Sequence, residues 1–195
     1  GKEMSGDVSL GFFHSAVTVL GYGSRVGVWL SGCNRHCKFC ETPELQGFNF
    51  SNEANEVISR CVVALQNGAD GLTISGGEPF EQTAFLRKLL ESAQKYTKDI
   101  LVFTGYTLEN LKERKDEDTD VALGYIGVLV DGEYIDDLNN GRGLRGSSNQ
   151  TIHRLNPALI ERYRGAEDWD RKIQIIYMSE QAGYIGINKK RGSYK

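Results

Sequence analysis

An α/β domain built on a largely parallel sheet is what this sequence predicts. Short β-branched runs alternate with helix-length amphipathic segments, the rhythm of βαβ units. Glycine-containing turns follow the runs GLTIS (71–75) and YIGVLVDG (125–132), and the second carries Asp131 at its carboxyl end. In parallel sheets the carboxyl ends of strands are where active sites form.

Taken in order, AVTVL (16–20) and VGVWLS (26–31) read as strands separated by a turn at Gly21, Tyr22 and Gly23. A helix is expected from Ser51, with Glu53 and Ala54 in its first turn. Val57, Ile58, Val62 and Leu65 recur at helical spacing until Asn67 and Gly68 end it. GLTIS is then a buried strand, followed by Gly76, Gly77, Glu78 and Pro79 and a helix from about Phe80 to Tyr96. DILVFTG (99–105) is a strand, Leu108 to Arg114 a short helix, KDEDTD (115–120) a solvated acidic loop, and YIGVLVDG a further strand. Asp136 and Asp137 resemble a surface helix start rather than a catalytic pair. Beyond the connection 139–149 come a helix near Pro157 to Tyr163, a strand KIQIIYM (172–178) and a closing hairpin or edge strand QAGYIGI (181–187). No linker or repeat interrupts the run, so residues 1–195 are expected to form one domain, with a C-terminal extension from about 165 to 195.

At 195 residues the chain can bury roughly 70% of the surface exposed by its unfolded form, so no disulfide framework is needed. Hydrophobic content of 39%, charged content of 25% and a net charge of −3 argue against disorder and against a nucleic-acid-coating field. Apolar runs are far shorter than the ~20 residues of a membrane span, and GKEMSGDVSL lacks a signal-peptide core. A cytoplasmic protein with no membrane and no nucleic-acid partner is expected. In a reducing cytosol, clustered cysteines point to a metal or a redox motif.

Cys33, Cys37 and Cys40 lie in one loop, WLSGCNRHCKFCETP (29–43), and Cys61 is the only other cysteine. A structural zinc site needs four ligands, usually as two well-separated pairs. Here the spacing is C-x3-C-x2-C with no second pair; His36 adjoins Cys37, and His14 and His153 are distant. Three thiolates suit a cuboidal [4Fe-4S] cluster with one iron left open, and an open metal position is where a substrate or cofactor binds. Zinc stays as the alternative. Cys61, at a core-facing helix position, reads as packing.

C-x3-C-x-aromatic-C, with Phe39 before the third cysteine, together with ISGGEPF (74–80), resembles the radical S-adenosylmethionine (SAM) enzymes. The resemblance implies that Cys33, Cys37 and Cys40 hold the cluster while SAM chelates its fourth iron. Reductive cleavage then yields a 5′-deoxyadenosyl radical. Gly76 and Gly77, lacking Cβ atoms directly after a strand, let backbone approach a ligand, and Glu78 adds a carboxylate beside the SAM ammonium group. The resemblance implies a (βα)-barrel of the radical SAM type, and the length makes it compact and partial, open on one side, since a full eight-unit barrel takes ~250 residues.

FTGYTLENL (103–111), IGVLVDGEYIDDL (126–138) and LRGSSNQTIH (144–153) resemble, in order and spacing, the activating enzymes of anaerobic ribonucleotide reductases. Such activases remove a Cα hydrogen from a glycine of a large glycyl-radical enzyme and are served by a flavodoxin-like electron donor. The likeness implies that Thr104, Gly105, Tyr106, Asp131 and Gly132 stand near SAM. Arg145 would pair with a carboxylate, and Ser148 and Asn149 would hydrogen-bond ribose or target backbone. Glu41, Thr42 and Pro43 depart from that group, and Cys40, Glu41 and Thr42 are similar to the Cys-Asp-Thr of 7-carboxy-7-deazaguanine synthases, in which the threonine helps hold magnesium. That small-molecule family, which lacks RGSSNQ and VDGEY, and a non-catalytic zinc-binding interaction module are the competing expectations.

Overall fold

A computed structural model of the protein describes residues 6–32, 52–178 and 181–189. In chain order its elements begin with the strands β1 (Asp7–Val8), β2 (Leu10–Val17), β3 (Arg25–Leu30) and β4 (Asn52–Glu53). Helix α1 (Ala54–Gln66), strand β5 (Leu72–Gly76), helix α2 (Thr83–Ala93) and strand β6 (Ile100–Phe103) follow. Helices α3 (Leu108–Glu113) and α4 (Glu117–Tyr125) then precede β7 (Val128–Asp131), β8 (Thr151–Arg154), β9 (Gln174–Met178) and β10 (Gln181–Ile185).

The main sheet has six strands in the order β2-β3-β5-β6-β7-β8. Its four central strands run parallel, and β2 and β8 close it antiparallel at the two edges. A mixed α/β architecture with a mostly parallel sheet therefore matches the expectation. The central strands are buried on both faces, which is why they read as unbroken apolar runs. On one face Val28, Leu30, Ile74 and Val102 pack against Cys61 and Leu65 of α1, Leu86 and Leu89 of α2, Leu111 of α3 and Ala122 of α4. On the other, Leu101, Val128, Val130 and Ile152 meet Leu144, Leu159, Tyr163 and Ala166 from the C-terminal part of the chain. Ile176 and Ile185 of the β9-β10 hairpin cover Val17, Leu20 and Trp29 beside that face.

At the amino ends of the parallel strands, Arg25 is fully buried. Its guanidinium donates to Thr73 Oγ1 at 2.7 Å, to the carbonyl oxygens of Tyr22, Leu72 and Asp99, and to Asp99 Oδ1 at 2.9 Å. Tyr163 donates its hydroxyl to the same Asp99 oxygen at 2.8 Å, and burial holds the Tyr163 phenol well above its ordinary range. A charge buried this deeply is tolerated because it is paired and hydrogen-bonded on all sides. This network closes the end of the sheet opposite the candidate site.

Several boundaries differ from the sequence reading. Strand β2 runs over Leu10–Val17 where 16–20 was expected, because an edge strand half open to solvent lacks clean alternation. Helix α1 starts at Ala54, after Glu53 has paired with Asp7 in a short ladder. The helix expected from Phe80 to Tyr96 is divided into a 3-10 turn, Pro79–Glu81, and α2. The acidic run 115–120 is not a loop: Asp116 caps α4 by accepting from Thr119 N at 3.2 Å, and Glu117, Asp118 and Asp120 fill the first turn, where carboxylates suit the helix dipole. Thr151–Arg154 is a strand where the sequence reading assigned no element, and the helix near Pro157 to Tyr163 shrinks to a 3-10 turn, Pro157–Leu159. No helix among the described residues is long and apolar enough to cross a membrane.

Candidate active site

Strand β3 delivers residues 30–32 to the carboxyl edge of the sheet, directly ahead of Cys33. That short segment is fixed from several directions. Gly77 N donates to Leu30 O at 2.6 Å, Glu78 N to Gly32 O at 2.9 Å, and Ser31 N to Ser9 O at 2.8 Å. The Gln82 amide donates to Ser31 O at 2.9 Å and also brackets Ser9 through both its polar atoms. Such packing explains the two glycines. Gly76 has φ +103, and a Cβ there would lie 2.2 Å from Leu30 O; at Gly77 it would lie 2.3 Å from Gly32 O. Both glycines are thus demanded by the close approach of the chain's own cluster-loop entry. The sequence reading attributed that approach to a ligand alone.

Glu78 is 1% exposed. Its carboxylate accepts from Phe80 N at 2.9 Å, from Gly105 N at 2.7 Å and from the Thr104 hydroxyl at 2.9 and 3.0 Å. Thr104 Oγ1 accepts in turn from Tyr106 N at 3.1 Å, and Gly132 N donates to Tyr106 O at 2.9 Å. One chain of hydrogen bonds therefore links the ends of β5, β6 and β7. Glu78 was expected beside the SAM ammonium group; the structure gives its carboxylate these backbone and hydroxyl partners. The Tyr106 hydroxyl donates to Glu81, and its ring lies 4.4 Å from the Arg114 guanidinium. Burial, then the hydrogen bond to Glu81, raises the Tyr106 phenol above its ordinary range.

Asp131 ends β7 and is 5% exposed. It accepts from Leu108 N at 2.7 Å, holding the start of α3, and from Thr151 N at 3.3 Å across to β8. His153 Nε2 lies 2.8 Å from Asp131 Oδ2, close but without hydrogen-bond alignment. Sequence reasoning weighed His153 only as a zinc ligand, distant from the cysteines, and did not bring it to Asp131, because the strand that carries it two residues beyond Thr151 was not recognised. Period-two placement on β8 is the signal that would have found it.

The polar loop joins the same edge. Gln150 donates from its amide to Gly132 O at 2.8 Å and accepts from Gly146 N at 2.7 Å and Ser147 N at 3.1 Å. Arg145 donates to Gln150 O at 2.9 Å and to Ser148 O at 3.2 Å, and Asn149 donates to Glu133 O at 2.7 Å. Ser148 and Asn149 are exposed. The structure thus assembles Gly76, Gly77, Glu78, Thr104, Tyr106 and Asp131 on three neighbouring strand ends. Arg145, Ser148 and Asn149 are carried on a loop anchored beside Asp131 and Gly132.

Cys33, Cys37 and Cys40, the expected cluster ligands, lie outside the described residues, as do His36 and Thr42. Among the described residues no group of three or more His, Cys, Asp or Glu side chains gathers in a metal-binding arrangement. Cys61 is buried, as its helical position implied, and burial pushes its thiol up to about 12.

Residues 19–153 match the family described as the 4Fe-4S single cluster domain. The chain is also similar to curated proteins named anaerobic ribonucleoside-triphosphate reductase-activating protein. The one from Vibrio cholerae is 35% identical over 147 residues, covering 70% of this chain and 92% of that protein. The one from Haemophilus influenzae is 31% identical over 153 residues, covering 73% and 96%, and the one from Escherichia coli is 31% identical over 146 residues, covering 70% and 92%.

Proposed function

The chain belongs to the family of anaerobic ribonucleoside-triphosphate reductase-activating proteins, and from that premise we propose how its residues carry out the activation. It is a radical SAM enzyme whose cofactors are a [4Fe-4S] cluster and SAM, and its protein substrate is a large glycyl-radical enzyme, the anaerobic ribonucleotide reductase. Cys33, Cys37 and Cys40 hold the cluster, which suits a donor set of three thiolates with no fourth cysteine nearby. When bound, the cluster supplies the electron that cleaves SAM to methionine and the 5′-deoxyadenosyl radical, which takes a Cα hydrogen from a glycine of the reductase.

The observation that carries this reading is the pinned entry to the cysteine loop. Gly77 N and Glu78 N grip the carbonyl oxygens of Leu30 and Gly32, so the entry to the loop, residues 30–32, is joined to the ISGGEPF turn at the sheet edge. A ligand bound to the cluster would therefore meet the ends of β5, β6 and β7. Backbone around Gly76 and Gly77 receives the methionine part of SAM, with Glu78 holding the neighbouring strand ends in register. Thr104, Tyr106 and Asp131 shape the floor, and Arg145, Ser148 and Asn149 form the polar wall. The sheet is the core of a compact partial (βα)-barrel, open on one side for the target glycine loop, within a single domain. A flavodoxin-like protein is the electron donor, and the reaction belongs to the reducing cytoplasm, where low-potential electrons and intact clusters are available.

The test is to incubate the anaerobically purified protein with SAM, a reductant and an anaerobic ribonucleotide reductase. Electron paramagnetic resonance should show a glycyl doublet that depends on all three. SAM cleavage without any protein radical would reject the assignment.

A further inference from the structure

Arg171 lies beyond the 19–153 segment that defines the family, and nothing in the sequence pattern singles it out. Its guanidinium nevertheless gathers more backbone than any residue near the site. Nε donates to Gly143 O at 3.2 Å, and one terminal nitrogen donates to Arg142 O at 3.0 Å, Arg145 O at 2.6 Å and Gly146 O at 3.3 Å. The other donates to Asn139 Oδ1 at 2.8 Å, to Lys189 O at 3.4 Å and to Asn188 O. Five planar N–H groups in a rigid fork are suited to holding several carbonyl oxygens in one fixed arrangement.

The surrounding chain reinforces the grip. Gly143 N donates to Trp169 O at 2.8 Å and Leu144 N to Ala166 O at 2.9 Å. A Cβ on Gly143 would lie 2.1 Å from Glu167 O, so the two segments touch backbone to backbone. Glu167 receives both terminal nitrogens of Arg154, at 2.6 and 2.9 Å, which ties the same segment to β8. The clasp thus runs from the C-terminal segment, through Arg171, to the loop carrying Arg145, Ser148 and Asn149.

We propose that Arg171 is a positioning residue: it sets the conformation of residues 142–150 and through it the affinity for SAM. This rests on the reading of Arg145, Ser148 and Asn149 as the polar wall of the SAM site. Loop carbonyls that would repel one another, or turn toward the ligand, are instead drawn back onto one cation. The energy of ordering the loop is thereby met by the fold before SAM arrives. A lysine keeps the charge but presents a single nitrogen, and it cannot span carbonyls that Arg171 reaches from three.

The experiment compares wild type with Arg171→Lys and Arg171→Met, all purified anaerobically with the cluster. Hydrogen exchange is read without SAM at the amides of Gly143, Leu144, Gly146, Ser147 and Gln150. SAM cleavage is then followed as a function of SAM concentration. For Arg171→Lys, exchange at those amides should accelerate about 10-fold or more, with β3, β5 and β6 unchanged. KM for SAM should rise about tenfold while kcat stays within about twofold, and the melting temperature should move by no more than about 5 °C. Arg171→Met should exaggerate both effects; if it does not fold, Arg171→Lys alone decides.

Unchanged exchange at the loop would overturn the proposal, and so would faster exchange with an unchanged KM for SAM. A rise in exchange across the whole sheet, with a collapsed melting temperature, would make Arg171 an ordinary structural residue and overturn it too. A wild type that releases no 5′-deoxyadenosine refutes the functional reading itself, and with it the link to SAM. The exchange data distinguish that failure, because they report on the clasp without any turnover.

Discussion

Replacing Glu78 by glutamine is the sharpest test of how the site is held. The carboxylate accepts from two backbone amides, Phe80 N and Gly105 N, and from the Thr104 hydroxyl, all within 2.7–3.0 Å and out of solvent. Glutamine keeps the shape but turns one oxygen into an amine. Whichever way the amide is placed, the amine faces a backbone N–H, so one buried donor loses its acceptor and the other bonds lose their charge assistance. An orphaned buried donor costs about 1–3 kcal/mol and a charge-assisted bond is worth about 1.5–3 kcal/mol. The sum, allowing Thr104 to turn its hydroxyl, is about 3 kcal/mol. For a domain of this size that is roughly a 6–12 °C fall in melting temperature. The assay is thermal unfolding followed by circular dichroism, with Thr104→Val and the double variant completing a cycle. Coupling between the two positions should be about 1–2 kcal/mol. If Glu78→Gln melts like wild type yet loses SAM affinity, the carboxylate faces the ligand and the claim that it braces the strand ends is wrong.

Gly77→Ala should push the Leu30–Gly32 entry aside, because the new Cβ would sit 2.3 Å from Gly32 O; iron per chain should fall at least about twofold. Gly124→Ala, with nothing within 4 Å in α4, is the matched control and should keep full iron and gain slightly in stability. Alanine at Cys33, Cys37 or Cys40 should each abolish cluster retention, measured by iron and sulfide content, whereas Cys61→Ala should retain it. Alkaline pH should destabilise the fold partly through Cys61. Its folded-state value is raised, from 9.0 to about 12, so the stabilising contribution is complete below about pH 9 and is lost as pH climbs toward 12. The slope is up to ~1.4 kcal/mol per pH unit. Denaturant melts between pH 8 and 11 should show a shallower decline in Cys61→Ala than in wild type; equal slopes would contradict the buried thiol.

Much of this was legible in the residues. The four parallel strands announced themselves because burial on both faces leaves unbroken apolar runs such as VLV (128–130), and Asp131 could be placed at a strand end from that run alone. Edge strands were harder: β8 contains Thr151, His153 and Arg154, polar residues that a half-exposed antiparallel edge accommodates and that resemble loop. Missing β8 meant missing the meeting of His153 with Asp131. The acidic run 115–120 misled because solvation and helix capping favour the same residues; only the burial of Thr119 and Ala122 separates the two. Arg171 was hard to see, since its partners are mostly backbone carbonyl oxygens, which leave no trace in side-chain pattern. The two glycines were recognised for the right physical property, the absence of Cβ, with the chain's own residues 30–32 as the unforeseen neighbour.

The central claim, that this chain moves a hydrogen from a protein glycine to a SAM-derived radical, is tested most directly by isotope transfer. The reductase is prepared with α-deuterated glycine, mixed with the activase, SAM and reductant, and the released 5′-deoxyadenosine is weighed by mass spectrometry. The account predicts deuterium in the 5′-methyl group and a glycyl signal collapsed from a doublet to a near-singlet. Unlabelled 5′-deoxyadenosine accompanying full SAM cleavage would contradict it.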